Sequence, residues 1–207
     1  MKKKVYPYLI VGLFICSFVG YGLYNKAQIN HNKQNVLAYA FERKGHQMGR
    51  YVPQWKFVYI YKDKPYFAFI SGEQFGYGSC YELIINKSKP NRHNDLNPRE
   101  YEDTKSVIVF FGLDFKKGDY LKVFENGQVI REFPIDKDFG IELPLREKYY
   151  IELYRGKKSY ARYEFTFSIP SLQKCYPIEL VSPAKKVKKM IYFNEQGLFS
   201  VKENDLD

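Results

Sequence analysis

Tyr120-Leu121-Lys122-Val123-Phe124-Glu125-Asn126-Gly127-Gln128-Val129-Ile130-Arg131-Glu132-Phe133 is the stretch that decides the fold class. Two runs of strand-forming residues flank Asn126-Gly127. That dipeptide adopts the positive φ angles of a two-residue type I′ turn, so the segment reads as a β-hairpin. The same texture extends in both directions. Downstream, residues 141–143, 149–154 and 160–169 read as strands. Tyr163, Phe165 and Phe167 alternate with Glu164, Thr166 and Ser168, which marks one buried face. A last hairpin is expected from 190–193 and 198–201 around Asn194-Glu195-Gln196-Gly197. Upstream, 107–111 is a near-continuous apolar strand. Residues 55–61 and 66–70, rich in aromatic and β-branched residues, flank a turn at Lys62-Asp63-Lys64-Pro65. A glycine-rich loop at 71–80 and a short strand at 81–85 follow. Many short strands separated by turns predict a mainly β protein, a sandwich or barrel.

Residues 86–106 interrupt this pattern with a polar stretch containing Pro90 and Pro98. They read as a long surface loop or as the boundary between two β-units, with Asn97-Pro98 opening one helical turn through Tyr101.

Of the 207 residues, 45% are hydrophobic and 18% aromatic, which excludes a disordered chain. Three cysteines are too few for a disulfide-dense miniprotein.

The N-terminus bears on the compartment. Lys2, Lys3 and Lys4 precede an uncharged run from Val5 to Tyr24. Twenty residues rise about 30 Å as a helix, the thickness of a bilayer's hydrocarbon core. Tyr6 and Tyr8 at one end and Tyr21 and Tyr24 at the other match interfacial aromatic belts, and the lysines favour a cytoplasmic N-terminus with the bulk of the chain outside. A cleaved signal is the rival; its cleavage site would be Gly20-Tyr21-Gly22, and it would leave a secreted or periplasmic domain. Lipidation at Cys16 is rejected because Ile15 stands where a small residue is needed. The expected organisation is an anchor or uncleaved signal at 1–24, a stalk or linker at 25–50 and an extracytoplasmic β domain at 51–207. In the stalk, Val36, Leu37, Ala40, Phe41 and Lys44 fit helical spacing, although Leu37, Tyr39 and Phe41 also alternate.

The chain carries 33 basic and 23 acidic residues, a net +10. Setting aside the first 24 residues, with three lysines and no acid, leaves a net +7. Such a surface favours anionic partners. Outside the cytoplasm these are lipid headgroups or wall polymers rather than nucleic acid. The densest basic run is Lys185-Lys186-Val187-Lys188-Lys189. With Arg155, Lys157 and Lys158 it forms a candidate anion-binding patch, against the plainer reading of a solvated loop. Tyr59, Tyr61, Tyr149, Tyr150, Tyr154, Tyr160 and Tyr163 are weighed as a carbohydrate- or protein-binding face against core and cross-strand packing.

Residues 112–154 resemble bacterial immunoglobulin-like (Big-type) surface domains. The features are the Gly118-Asp119 turn, the alternating strand to Glu125, Asn126-Gly127, Asp136-Lys137-Asp138, the Leu143-Pro144 step and the strand led by Tyr149. One departure is Phe139, which stands between the Asp-x-Asp and Gly140. The carboxypeptidase-regulatory-like sandwich looks similar. The resemblance implies an Ig-like antiparallel β-sandwich, a non-catalytic surface or periplasmic module, and names no ligand.

Chemistry-bearing motifs are sparse. Cys80 and Cys175 are the only cysteines beyond the apolar run, and in an oxidising compartment they are expected to form one disulfide. The alternative makes Cys80 the nucleophile of an envelope hydrolase or transferase, but His31, His46 and His93 lie in no catalytic motif. Gly76-x-Gly78-Ser79 lacks the Gly-Lys-Ser/Thr of a phosphate loop. The chain holds no Gly-x-Ser-x-Gly elbow and no metal-ligand histidine spacing. No catalytic residue, metal or cofactor is expected. The function expected is binding or assembly at the envelope, through a protein partner or an anionic polymer. A minor subunit of a secretion or pilus-like complex is a further alternative.

Overall fold

A computed structural model describes residues 6–46, 52–94, 99–101, 107–113, 115, 118–135, 138–144, 148–167, 175–181, 187–193 and 199–205. Among these residues, one helix is followed by three packed β-sheets.

Helix α1 (Tyr6–His31) has no polar face along its first five turns. Phe14 and Phe18 expose 71% and 76% of their surface. The body leaves these apolar side chains uncovered, and water penalises every such ring. The window Ile10–Ala27 is long and apolar enough to cross a bilayer.

The first sheet contains β1 (Lys33–His46), β2 (Pro53–Tyr61), β3 (Lys64–Ser71), β4 (Cys80–Asn86) and β5 (Lys89–His93), in the order β3-β2-β1-β4-β5, with β6 (Arg99–Glu100) also pairing β4. Much of the segment read as a stalk is therefore the central strand of a sheet. Helix ends at His31, and one turn residue, Asn32, leads into β1. The helical spacing misleads because both faces of β1 are buried, which removes the alternation of a half-buried strand. Ala38 and Ala40 point into the first sheet's own core, whereas Leu37, Tyr39 and Phe41 face the next layer.

The polar stretch after Ile85 is likewise not all loop. A tight turn at Lys87-Ser88 joins β4 to β5, with the Asn86 side-chain Oδ1 accepting from the backbone N–H groups of Ser88 and Lys89, each at 2.9 Å. Arg99–Glu100 is β-bridged rather than helical; Asn97 and Pro98 lie outside the described residues. Strands β3 and β5 approach each other, so the sheet curls around Phe57, Tyr59, Leu83 and Ile85. Phe75 from the glycine-rich loop closes that core edge-on to Phe57 and Tyr81.

The middle sheet is β10 (Phe139–Pro144), β7 (Val107–Leu113) and β13 (Cys175–Val181). The outer sheet runs β15 (Phe199–Asp205), β14 (Val187–Phe193), β12 (Lys158–Phe167), β11 (Lys148–Arg155), β8 (Asp119–Glu125), β9 (Gln128–Ile135). Most pairings are antiparallel, but β7 with β13 and β12 with β14 are parallel. The Asn126-Gly127 turn forms as expected, with φ of 51° and 82°. The Asn194–Gly197 turn lies outside the described residues. Middle and outer sheets bury one cluster between them, including Phe110, Leu121, Val123, Ile151, Leu153, Phe165 and Ile178. Strand β7 is buried on both sides: Phe110 joins this cluster, while Val109 and Phe111 face the first sheet. That is why 107–111 reads as a continuous apolar run.

Candidate functional site

The seam between first and middle sheets holds the predicted cysteine pair. Cys80 begins β4 and Cys175 begins β13. They are disulfide-bonded with Cα atoms 6.0 Å apart, within ordinary bridging range. Both sit fully buried beside Tyr39, Val58 and Val109. The backbone ties the same corner, as Cys175 N–H donates to Gly78 O at 3.2 Å. The glycine-rich loop is thereby committed to structure. Gly72 N–H donates to Pro53 O, and Gly76 N–H to the Tyr81 hydroxyl. These two glycine amides are spent within the fold.

The other end of the seam is equally tight. Gly140 N–H donates to Asp63 O at 3.0 Å, and Arg131 pairs with the Asp63 carboxylate at 2.6 Å. A Cβ on Gly140 would lie 2.2 Å from Ile60 Cδ1 and 3.2 Å from Pro65 N, so the close approach requires glycine. Beside this contact Tyr39 faces Glu142 of β10. Burial, reinforced by the Glu142 charge, raises the Tyr39 hydroxyl well above its ordinary value. Burial also raises the Glu142 carboxyl, against the lowering effect of Tyr39. Glu142, Gln34, Leu37, Ile60, Tyr61 and Lys62 line an open groove of about 530 Å³ at this junction.

The tyrosines proposed as a binding face divide. Tyr59, Tyr149 and Tyr163 are core residues. Tyr160 packs against the core beside the β11–β12 turn, while Tyr150 and Tyr154 are half-buried on the solvent face of the outer sheet. Their rings are already occupied. Tyr150 stacks on Phe124 at 4.4 Å and 9°, and Arg162 covers it at 4.0 Å. Tyr154 stacks on Tyr120 at 4.9 Å, with Lys122 over both rings, and its hydroxyl bonds Glu152. A sugar needs a free ring face, so these rings act as cross-strand packing.

The proposed anion patch also divides. Arg155 makes a two-pronged ion pair with the fully buried Asp119 carboxylate, both contacts at 2.9 Å. Tyr160 donates to the same carboxylate, and the Asp119 bonds raise the guanidinium above its ordinary value. Arg155 is thus a structural residue of the β11–β12 turn. Lys157 and Lys158 in that turn are exposed. The parallel β12–β14 pairing sets Lys188 opposite Arg162 and starts β14 at the turn's end of the sheet. Lys185 and Lys186, and the side chains of Lys188 and Lys189, lie outside what is described, as does Asp136.

A second basic surface was not singled out from the sequence. Asn32 is clamped to the β4–β5 turn: Lys87 N–H donates to Asn32 O at 2.8 Å, and Asn32 Nδ2 to Ser88 Oγ at 2.6 Å. Lys26 on the helix, Lys33 at the start of β1, Lys87 and Lys89 at that turn, and Lys62 and Lys64 at the β2–β3 turn are all exposed at this end. Their positions are scattered over more than sixty residues of sequence, so no basic run reveals them.

The described features define a class: a mainly β body, bridged by one disulfide, that follows directly from an apolar helix of membrane-spanning length. Among the described residues, no group of three or more His, Cys, Asp or Glu side chains is placed to hold a metal ion. Compared with protein-family models, curated proteins and solved structures, the chain matches none.

Proposed function

We propose that the chain is a membrane-anchored extracytoplasmic module that binds or assembles with partners at the cell envelope, and that it is not a catalyst. The observation that carries this reading is the path from an uncovered apolar helix, through one clamped turn residue, into the central strand of a disulfide-bridged body. Such a bridge persists in oxidising compartments, and three lysines ahead of the helix favour a cytoplasmic N-terminus. The bond to Cys175 takes away the thiolate that a Cys80-centred enzyme requires. The Ig-like reading is supported by residues 112–154, whose strands distribute between two facing sheets. Phe139, the departure from the Big-type pattern, is a core residue packed on Phe115.

Intact mass of the membrane-extracted protein tests the reading. A full-length mass with one cysteine (Cys16) alkylated under denaturing conditions before reduction, and three after, is the expected outcome. A mass shortened near Gly22, or free alkylation of Cys80 and Cys175, overturns the anchored, oxidised module.

A further inference from the structure

We propose that the lysine rim around the helix exit is a headgroup-binding surface that seats the body on anionic phospholipids of the bilayer crossed by α1. The inference rests on the anchored reading above and adds its orientation and lipid preference.

The argument is one of distance and charge. The uncharged run ends at Tyr24, so Lys26 sits where headgroups begin. From Lys26 to Lys33 the chain climbs about 10 Å at helical rise. The polar layer on each side of a bilayer is roughly 5–8 Å deep. Lys33, Lys87 and Lys89 therefore start at its outer margin, and a lysine stem carries its ammonium several ångströms further. No flexible linker separates this end of the body from the bilayer. The Asn32–Lys87 and Asn32–Ser88 hydrogen bonds fix the β4–β5 turn against the helix exit, and Asn86 fixes the turn itself.

Charge complementarity selects the partner. None of the six rim lysines has a carboxylate partner among the described residues; Lys62 has only the Tyr61 ring, at 5.4 Å. Of the nearby acids, Asp63 pairs with Arg131, and Glu142 shares the open groove with Lys62, leaving the lysines in excess at this end. An end that presents uncompensated ammonium groups at headgroup depth attracts phosphate-bearing anionic lipid, within a Debye length of about 8 Å.

The full-length chain in nanodiscs tests this, comparing phosphatidylcholine alone with a mixture containing 30% phosphatidylglycerol. Acetylation rates of individual lysines are read by peptide mass mapping. The expected result is at least threefold slower modification of Lys33, Lys87 and Lys89 in the anionic discs, reversed by 0.5 M salt, with Lys157 and Lys158 unchanged. The K87Q/K89Q variant, altered only at exposed turn positions, should lose most of the lipid effect remaining at Lys33. Equal rates in both discs overturn the proposal. So does slowing confined to Lys157 and Lys158, which would move the anionic contact to the far patch. Cys16 separates the two levels of inference. If Cys16 reacts with an aqueous maleimide in discs as fast as in denaturant, the anchored reading fails and the rim falls with it. If Cys16 is protected but the lysine rates are equal, only the rim fails.

Discussion

The two β-units bury their sheets by different means. The first, 33–101, curls one sheet around a core and closes it with Phe75 from a loop. The second, 107–205, lays a three-stranded sheet against a six-stranded one. Both cores take in a loop residue, but the loop that closes the first is tied to the second unit through Gly78 and Cys175, whereas Phe115 closes the second core from within its own unit. Local burial and attachment across the seam are linked at one corner. The unit beside the helix should therefore be the more sensitive to changes at the seam.

The largest expected effect comes from the cores. Phe57→Ala should cost about 3–5 kcal/mol, and Ile151→Ala about 2–5. If the seam couples the units, both variants lower one common transition, followed by circular dichroism in detergent. Two transitions, each moved by only one variant, would break the coupling. Next, replacing both Cys80 and Cys175 by Ala should cost about 2–4 kcal/mol, because the bridge closes 95 positions of chain. Hydrogen exchange should then rise first in 72–79, the loop that caps the first core; a uniform rise would separate burial from attachment. Third, Gly140→Ala should cost about 1–3 kcal/mol by crowding Ile60 and the Pro65 backbone. Adding Ile60→Val should recover part of it, and strict additivity in a double-mutant cycle would show that the Gly140–Ile60 approach is not the cause.

The smallest effect is electrostatic. Glu142 titrates above its ordinary 4.5 when folded, so the folded state holds that proton more tightly. The resulting stabilisation is present below pH 4.5 and is lost as pH rises through the folded value. Glu142→Gln, neutral at every pH, should therefore raise stability at pH 7 by less than about 0.5 kcal/mol, because the carboxyl is desolvated on its Tyr39 side but screened by solvent in the open groove, and by less still at pH 4. A destabilised variant at pH 7 would mean that the Glu142 charge helps to hold the seam.

Where one residue pair carries its own geometry, the sequence was legible. Asn126-Gly127 turned as its φ preferences demand, Lys62-Asp63 made the other expected hairpin turn, and Cys80 met Cys175. Legibility failed where a strand is covered on both sides. β1 carries Leu37, Tyr39 and Phe41 on one face and Ala38 and Ala40 on the other, so it imitates a helix. The parallel partners of β7 and β12 were also hidden, because neither pairing is made through an adjacent turn. Pro177 argues against a central strand, and β13 lies at the edge of its sheet, where a missing N–H is tolerated. The proposed patch came apart for a similar reason. Nothing in Arg155-Gly156-Lys157-Lys158 discloses that the arginine is spoken for by Asp119, 36 positions earlier.

The clamp at Asn32 makes the helix and β1 a single lever. A transmembrane helix tilts when its apolar length and the bilayer thickness disagree. With no joint to absorb the angle, the tilt passes into the body. Fourteen strand residues extend about 45 Å, so a 10° tilt displaces the far end of β1 by about 8 Å. In the anchored arrangement proposed above, thinning or thickening of the membrane would thereby set how far from the surface the distal end reaches.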